Sequence, residues 1–95
     1  MSTILGMVDQ NGNVIAGSGF TVNNSSTGTY KITFTTAFTS TPVVIASLTS
    51  DSLDSNQNNN ILMVDPGTQS ATVFITNQNS ADGQDGGFTF FASNG

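Results

Sequence analysis

The chain has 95 residues with no cysteine and no histidine, and its net charge of −5 comes from six aspartates against Lys31 alone. This length accommodates one domain, residues 1–95, since a second core would have too little apolar surface to bury. The charge excludes binding to nucleic acid or to an anionic membrane surface, because both need basic residues to neutralise phosphate. The amino terminus has no basic region and no long apolar run, so we predict neither a signal peptide nor a membrane span.

The composition favours a folded β domain with a surface of hydroxyl and amide groups. Ser, Thr, Asn and Gln supply 42 of the 95 residues, and only 7% of the chain is charged. A core built from 36% hydrophobic residues is thin, and without cysteines it has no disulfide to support it. We therefore expect self-association.

The first half of the chain reads as short strands separated by turns. Residues 4–8 form a predicted strand, and the Asn-Gly in residues 9–13 is a strong hairpin-turn signal. Residues 14–22 form a second strand, which Gly17-Ser18-Gly19 interrupts with a bulge or a close backbone approach. A turn over residues 23–28 follows.

From residue 29 onwards the strands become more apolar. Residues 29–35 alternate well, and Pro42 opens a strand over 43–48, where its missing N–H is tolerated. Further strands are predicted at 61–64, 71–76 and 88–93, with long polar loops at 51–60 and 78–87. About seven short strands and no helical period predict an all-β fold, an antiparallel β-sandwich that is jelly-roll-like.

Three of these strands carry bulky apolar residues on both faces, at residues 43–46, 73–75 and 88–91. A strand that is apolar on both sides is buried on both sides, so the second face is expected to be a subunit interface. Scattered exposed hydrophobic residues, or a cover formed by the two long loops, are the alternatives.

Catalytic chemistry is not expected. The chain has no His or Glu to act as a general acid or base, and Lys31 sits mid-strand among threonines, typical of a solvated charge that discourages edge pairing. Gly17-Ser18-Gly19 lacks the lysine and the helix of a phosphate loop. We predict a non-enzymatic protein without a metal or cofactor.

The polar loops are the predicted partner-binding segments. Their aspartates do not have EF-hand spacing, so ordinary turns are preferred over a calcium site. A glycan is an alternative partner, although the chain has no Trp to stack on a sugar. The candidate loop residues are Asp51, Asp54, Asn56, Asn77, Asp82 and Asp85.

The stretch GSGFTVNNSSTGTYKITFTTAFTSTPVVIAS (17–47), with the terminal GGFTFFASNG, resembles small β domains of phage tail fibres and bacterial surface proteins. The segment 85–90, in which an Asp-Gly loop leads into Phe-Thr-Phe, is part of this resemblance. It implies a homotrimeric jelly-roll head, similar in shape to complement-type and tumour-necrosis-factor-type heads. The portion from 32 to 44 is also similar to the H-type lectin pattern.

The strands that are apolar on both faces supply the predicted subunit interface. We predict Val44, Phe74 and Phe91 as the outward members of their strands, with Phe38 near the threefold axis. The predicted core consists of Tyr30, Ile32, Phe34, Val43, Ile45, Val73, Ile75, Phe88 and Phe90.

Because the chain enters its first strand within a few residues of Met1, we expect a free-standing module and not the tip of a fibre shaft. The functional hypothesis is therefore a homotrimeric capsid decoration (cement) protein at the virion surface, bound to the major capsid protein or another virion protein. Its stabilisation of the shell would act through mass action on the assembled state. The alternative is a trimeric receptor- or glycan-binding head of a tail fibre or bacterial surface appendage.

Overall fold

The structure, a computed structural model, describes residues 2–49, 60–77 and 83–94. In these ranges the chain forms eight strands and no helix, arranged as two packed antiparallel sheets of four strands. The predicted all-β antiparallel sandwich is confirmed, with eight strands where about seven were expected. The strands are β1 (Thr3–Val8), β2 (Val14–Gly17), β3 (Phe20–Ser26), β4 (Thr29–Phe34), β5 (Val43–Leu48), β6 (Asn60–Asp65), β7 (Ser70–Asn77) and β8 (Phe88–Ser93).

The two sheets interleave early and late strands. Sheet A has the order β2-β1-β8-β5, and sheet B has the order β3-β4-β7-β6. In each sheet a late strand lies between two earlier ones, which resembles a jelly roll. Among the described strands, the sheet edges are therefore β2 and β5 in sheet A, and β3 and β6 in sheet B.

The predicted strand over residues 14–22 is in fact two strands in different sheets. The chain leaves sheet A at Gly17 and enters sheet B after Gly19, and both glycines have positive φ angles of 94° and 88°. A Cβ at Gly17 would overlap the carbonyl oxygen of Leu5 on the paired strand. The close backbone approach predicted for this segment is confirmed, because only glycine fits both the conformation and the space.

The hairpin between β3 and β4 is tighter than predicted. The ladder continues to Ser26, with a register shift before it, so the turn shrinks from residues 23–28 to Thr27-Gly28. Gly28 supplies the positive φ angle of 78° that this turn requires. β4 lies between β3 and β7, so Lys31 is exposed on an interior strand and does not guard an edge.

The core lies between the sheets and is organised by aromatic pairs that cross from one sheet to the other. Phe20 of sheet B packs edge-on against Phe90 of sheet A with ring centroids 4.8 Å apart, and Tyr30 packs against Phe88 at 5.3 Å. Such tilted contacts stabilise aromatic pairs beyond the area they bury. The buried hydrophobic residues are Val8, Phe20, Tyr30, Ile32, Phe34, Phe38, Ala71, Val73, Ile75, Phe88, Phe90 and Ala92.

Seven of the nine predicted core residues are buried, and the two exceptions lie on β5. Val43 and Ile45 were predicted inside but are 67% and 63% exposed, whereas Val44, predicted outward, packs against the core. The reason is the pairing of β5 with β8, in which Ile45 stands opposite the exposed Phe91. Directly opposed residues share a face of the sheet. An apolar run such as Val43–Leu48 contains no alternation from which this face could have been read.

Phe38 is also misplaced by the prediction. It is 5% exposed and packs edge-on against Phe34, with ring centroids 4.9 Å apart. Its backbone N–H donates to the carbonyl of Thr68 in the β6–β7 turn at 2.8 Å. The connection between β4 and β5 thus folds over the end of the sandwich, and Phe38 closes the core there instead of facing a neighbouring subunit.

Candidate interaction surface

The outer face of sheet A carries a set of exposed large apolar side chains, which we call the apolar face. Fractional exposure ranges from 37% for Met7 to 67% for Val43. They come from three neighbouring strands, β1, β8 and β5. The members of the apolar face are Leu5, Met7, Val43, Ile45 and Phe91.

The sheet register brings these side chains together. Phe91 on β8 stands directly opposite Leu5 on one side and Ile45 on the other, so the three form one row across the sheet. Neighbouring strands lie about 4.8 Å apart, which places side chains of a row in contact. Val43 and Met7 extend the surface along the neighbouring rows.

Small polar residues surround this centre. Val43 shares its row with Ser93 and Thr3, and Met7 shares its row with Thr89. The threonine and serine at one end interact with each other, since the Thr3 hydroxyl donates to Ser93 Oγ at 3.4 Å. Strands β1, β5 and β8 contain no charged residue. An uncharged apolar centre with a polar rim is typical of a protein–protein interface.

Burying the apolar face against a partner would contribute hydrophobic free energy to the association. Full burial of one Leu, Ile, Val or Phe side chain contributes about 1.5–3 kcal/mol. The five side chains are about half exposed, so covering them contributes on the order of 5 kcal/mol per subunit before the cost of association. Contiguous exposed apolar patches of this kind mark interaction sites.

The four predicted interface residues do not lie together. Phe91 belongs to the apolar face, while Val44 and Phe38 lie inside the sandwich. Phe74 is half-buried on the outer face of sheet B, opposite Met63 of β6. Sequence reasoning missed Leu5 and the other members contributed by β1 and β5. The usable signal was the pair of apolar side chains Leu5 and Met7 at alternate positions of β1, with Gly6 between them.

Three of the described turns gather at one end of the sandwich, which we call the loop end. They are the turn 9–13, the Thr27-Gly28 turn and the segment 83–87. The strands that border residues 50–59 and 78–82 also end there, because Leu48 pairs with Phe88 and Asn60 with Asn77. The predicted loop residues Asp51, Asp54, Asn56 and Asp82 lie outside the described residues, and Asn77 is the last residue of β7.

The loop end is held together by hydrogen bonds that are buried or partly buried. The hydroxyl of Tyr30 donates to the carbonyl of Gln10 at 2.6 Å and accepts from the N–H of Gly86 at 3.0 Å. Burial raises the pKa of Tyr30 to about 12. The half-buried Asp85 accepts the N–H of Gly28 at 2.7 Å. Asp85 was a predicted partner-binding residue, but its carboxylate fastens segment 83–87 to the β3–β4 hairpin.

Asp9 acts within its own turn. One carboxylate oxygen accepts the backbone N–H groups of Asn11 and Asn13 at 2.9 and 2.8 Å, and the other accepts the Asn13 side-chain amide at 3.1 Å. The hydrogen bond from the Asn13 backbone is the main cause of a lowered pKa for Asp9. This carboxylate is therefore committed to the Asn-Gly turn.

The described residues contain no group of three or more metal-ligating side chains of the His, Cys, Asp and Glu type. Over the same part of the chain, no helix long and apolar enough to cross a membrane is found. Among the described surfaces, the apolar face is the strongest candidate for a functional contact. Comparison of the chain with known protein families, with characterised proteins and with solved structures finds no match in any of the three.

Proposed function

We propose that this protein is a non-enzymatic structural protein of a virion surface, a capsid decoration protein that assembles as a homotrimer through the apolar face. The observation that carries the proposal is the row Leu5–Phe91–Ile45, which is apolar, uncharged and exposed in the single chain. A 95-residue chain with no disulfide gains stability by covering such a surface. The partner of the trimer is the major capsid protein or another virion protein.

The number of subunits follows from the resemblance to trimeric fibre and virion-surface domains. A closed ring of three copies covers the apolar face of each and leaves the outer face of sheet B towards solvent. A chain with no His, Glu or Cys fits a protein that assembles rather than catalyses. Binding only to the assembled shell, the trimer stabilises that shell by mass action.

The oligomeric state tests the first half of the proposal. Light scattering coupled to size exclusion at micromolar concentration is expected to give the mass of three chains. Ile45→Glu places a charge in the centre of the apolar face and is expected to give monomers, because an unpaired charge is strongly unfavourable in an apolar interface. The matched control is Thr21→Glu, which adds the same charge on the exposed outer face of sheet B and should leave the trimer intact.

A monomeric wild-type protein, or an Ile45→Glu variant as trimeric as the wild type, would contradict assembly through this face. The location is tested by immunogold labelling of virions from the virus that encodes the chain. Label over the capsid shell supports decoration, and label restricted to fibre tips supports the alternative below. Absence of label from intact particles would exclude the virion surface.

A receptor- or glycan-binding head is the second candidate, favoured by the loop end. Three described polar turns lie there, and the chain runs into residues 50–59 and 78–82 from strands that end there. A glycan array is expected to give saturable hits that disappear when residues 51–58 are replaced by alanine. An array without hits, combined with label over the capsid, would exclude this candidate.

A further inference from the structure

The four edge strands of the sandwich are unequally protected against pairing with another strand. On one side, β2 has only four residues and its ladder contains a register shift, and β3 is also shifted near Ser26. On the other side, β5 and β6 each have six residues and pair without a shift. Natural edge strands are usually short, bulged or charged, because an open edge pairs with any available strand. The β5–β6 side has few of these devices.

The orientation of the backbone on β6 follows from its neighbour β7. Ile75 of β7 accepts from Gln84 and donates to Gly28, so its N–H and C=O point away from β6. Backbone N–H and C=O groups alternate in direction along a strand, so those of Phe74 and Thr76 point towards β6. They bond to the backbone groups of Met63 and Ile61, which lie opposite them.

The backbone groups of Asn60, Leu62 and Val64 therefore point out of the sheet edge. No described strand pairs with that edge. The outward-facing side chains beside it are apolar, with Ile61 and Met63 43% and 57% exposed. Within the described ranges, the edge thus offers both unpaired backbone groups and apolar side chains to an incoming strand.

We propose that β6 pairs antiparallel with β6 of a second copy of this chain, about a twofold axis at Leu62. In this register Leu62 stands opposite Leu62 of the copy, and Asn60 opposite Val64, so all outward-pointing backbone groups of the three residues bond across the axis. Ile61 meets Met63 of the copy on the outer face, an apolar cross-strand pair on each side of the axis. Sheet B becomes one eight-stranded sheet.

Charge favours this register over the nearest alternative. β6 carries a single charge, Asp65, at its last residue. Centring the pair on Leu62 leaves Asp65 beyond the bonded segment, away from Asp65 of the copy. Centring it on Met63 would instead set Asp65 against Ile61 and would pair Asn60 with Pro66, which has no N–H to donate.

β5 is less suited to the same contact. The N–H of Thr49 donates to the carbonyl of Gly87 on the β8 side. The backbone N–H and C=O groups of the odd-numbered residues of β5 therefore point towards β8, and those of the even-numbered residues point towards the open edge. A pair centred on Val44 would bring in Pro42, and one centred on Ala46 would set Ile45 against Ser47. Its outward side chains also belong to the apolar face. The self-complementary edge is β6.

One strand pair buries less than the roughly 1,200 Å² of a stable interface, so the dimer is a weak one that higher-order assembly can reinforce. The contact does not use any member of the apolar face, and it therefore stands independently of the proposed trimer. Both together would link trimers through twofold contacts.

Disulfide trapping tests the register. The chain has no cysteine, so added thiols are the only ones present. An equimolar mixture of Ile61→Cys and Met63→Cys proteins is expected to give at least about fivefold more disulfide-linked dimer than either protein alone, because residues 61 and 63 face each other while like positions are more than about 7 Å apart. Thr21→Cys mixed with Met63→Cys is the control for random collision.

A charge exchange gives a second test. Ile61→Lys and Met63→Glu are each expected to weaken concentration-dependent dimerisation, measured by sedimentation, since each sets a charge against an apolar side chain. The double variant restores the dimer because the introduced lysine then faces the introduced glutamate of the copy, whereas Ile61→Lys with Met63→Lys does not. Both positions are exposed, and circular dichroism verifies folding.

Repeating the trapping in the Ile45→Glu background separates this contact from the trimer. If the mixture of Ile61→Cys and Met63→Cys proteins still gives disulfide-linked dimer in this background, the result supports the β6 contact whether or not the trimer forms. A mixture no better trapped than the single proteins, efficient trapping of Ile61→Cys alone, or loss of trapping in the Ile45→Glu background would each overturn the proposal.

Discussion

The outer faces of the two sheets differ most clearly in the row of residues that crosses the middle of each sheet. Across the outer face of sheet A, register aligns Leu5, Phe91 and Ile45, whereas a corresponding row of sheet B aligns Asn23 and Lys31 with the β7 and β6 residues Thr72 and Asp65. Both sheets contribute fully buried side chains to the same core. The core therefore accounts for one face of each sheet. The other face of sheet A is apolar at its centre, whereas that of sheet B is polar along this row and carries apolar side chains near β6, at Ile61, Met63 and Phe74.

This difference comes from how each strand is patterned. β4 alternates between buried and outward residues, as expected for a strand with one solvent-exposed face. β8 alternates in burial as well, but its outward position 91 is a phenylalanine. An apolar residue at a position that the core does not need indicates a second contact, and this is the basis for the proposed assembly.

The largest difference in effect is expected between truncations of two neighbouring phenylalanines of β8 that point to opposite faces of sheet A. Phe90→Ala is expected to lower the free energy of unfolding by about 3–5 kcal/mol, because Phe90 is buried and packs against Phe20. Phe91→Ala should change it by about 1 kcal/mol or less in the isolated chain, while weakening self-association. Urea unfolding of both variants at high dilution, where the chain is monomeric, measures the difference; equal losses would show that Phe91 belongs to the core.

The passage between the two sheets is the next most sensitive point. Gly17→Ala is expected to lower the free energy of unfolding by about 1–3 kcal/mol, since a residue with a side chain is strained at this positive φ angle. The overlap of its Cβ with the Leu5 carbonyl oxygen argues for the upper end. The matched control is Ala16→Ser, at the neighbouring exposed position of β2. A thermal melt in which both variants match the wild type would contradict the close approach.

The loop end joins the turns of both sheets through Tyr30. Tyr30→Phe keeps the ring but leaves the buried N–H of Gly86 without its acceptor, an expected loss of about 1–3 kcal/mol in the free energy of unfolding. Urea titration measures it. A variant as stable as the wild type would show that this hydrogen bond does not fasten segment 83–87.

The same residue makes stability depend on alkaline pH. Below pH 10 the tyrosine is protonated in both the folded and the unfolded chain, so it does not contribute to the pH dependence of stability there. Between its unfolded pKa of 10.0 and its folded pKa of about 12, only the unfolded chain releases the proton, so stability falls as pH rises. Tyr30→Phe should remove that part of the alkaline decline, and identical pH profiles for variant and wild type would contradict it.

The smallest effect is expected on the outer face of sheet B. Lys31→Ala removes an exposed charge and should change the free energy of unfolding by no more than about 0.5 kcal/mol. The mass in light scattering should also remain that of the wild type, because Lys31 lies away from the apolar face. Dissociation of the Lys31→Ala protein would show that the subunit interface lies on sheet B.

Much of the architecture was readable from local patterns. The alternation of Tyr30, Ile32 and Phe34 predicted their burial, and Pro42 marked the start of β5, both as observed. The glycines at 17 and 19 signalled an interruption, but that they carry the chain from one sheet to the other depends on which partners the two flanking strands find. Strand pairing is a long-range property that local residues do not encode.

The residue pattern predicted an all-β chain, and it indicated that more apolar surface was present than one core requires. Which of the apolar residues face outward depends on how the strands pair over long distances in the chain. On β5 the register with β8 turned Ile45 outward and Val44 inward, and shifting that pairing by one residue would exchange them. Phe38 closes the core for the same kind of reason, since its position depends on the Thr68 turn that it meets across the fold.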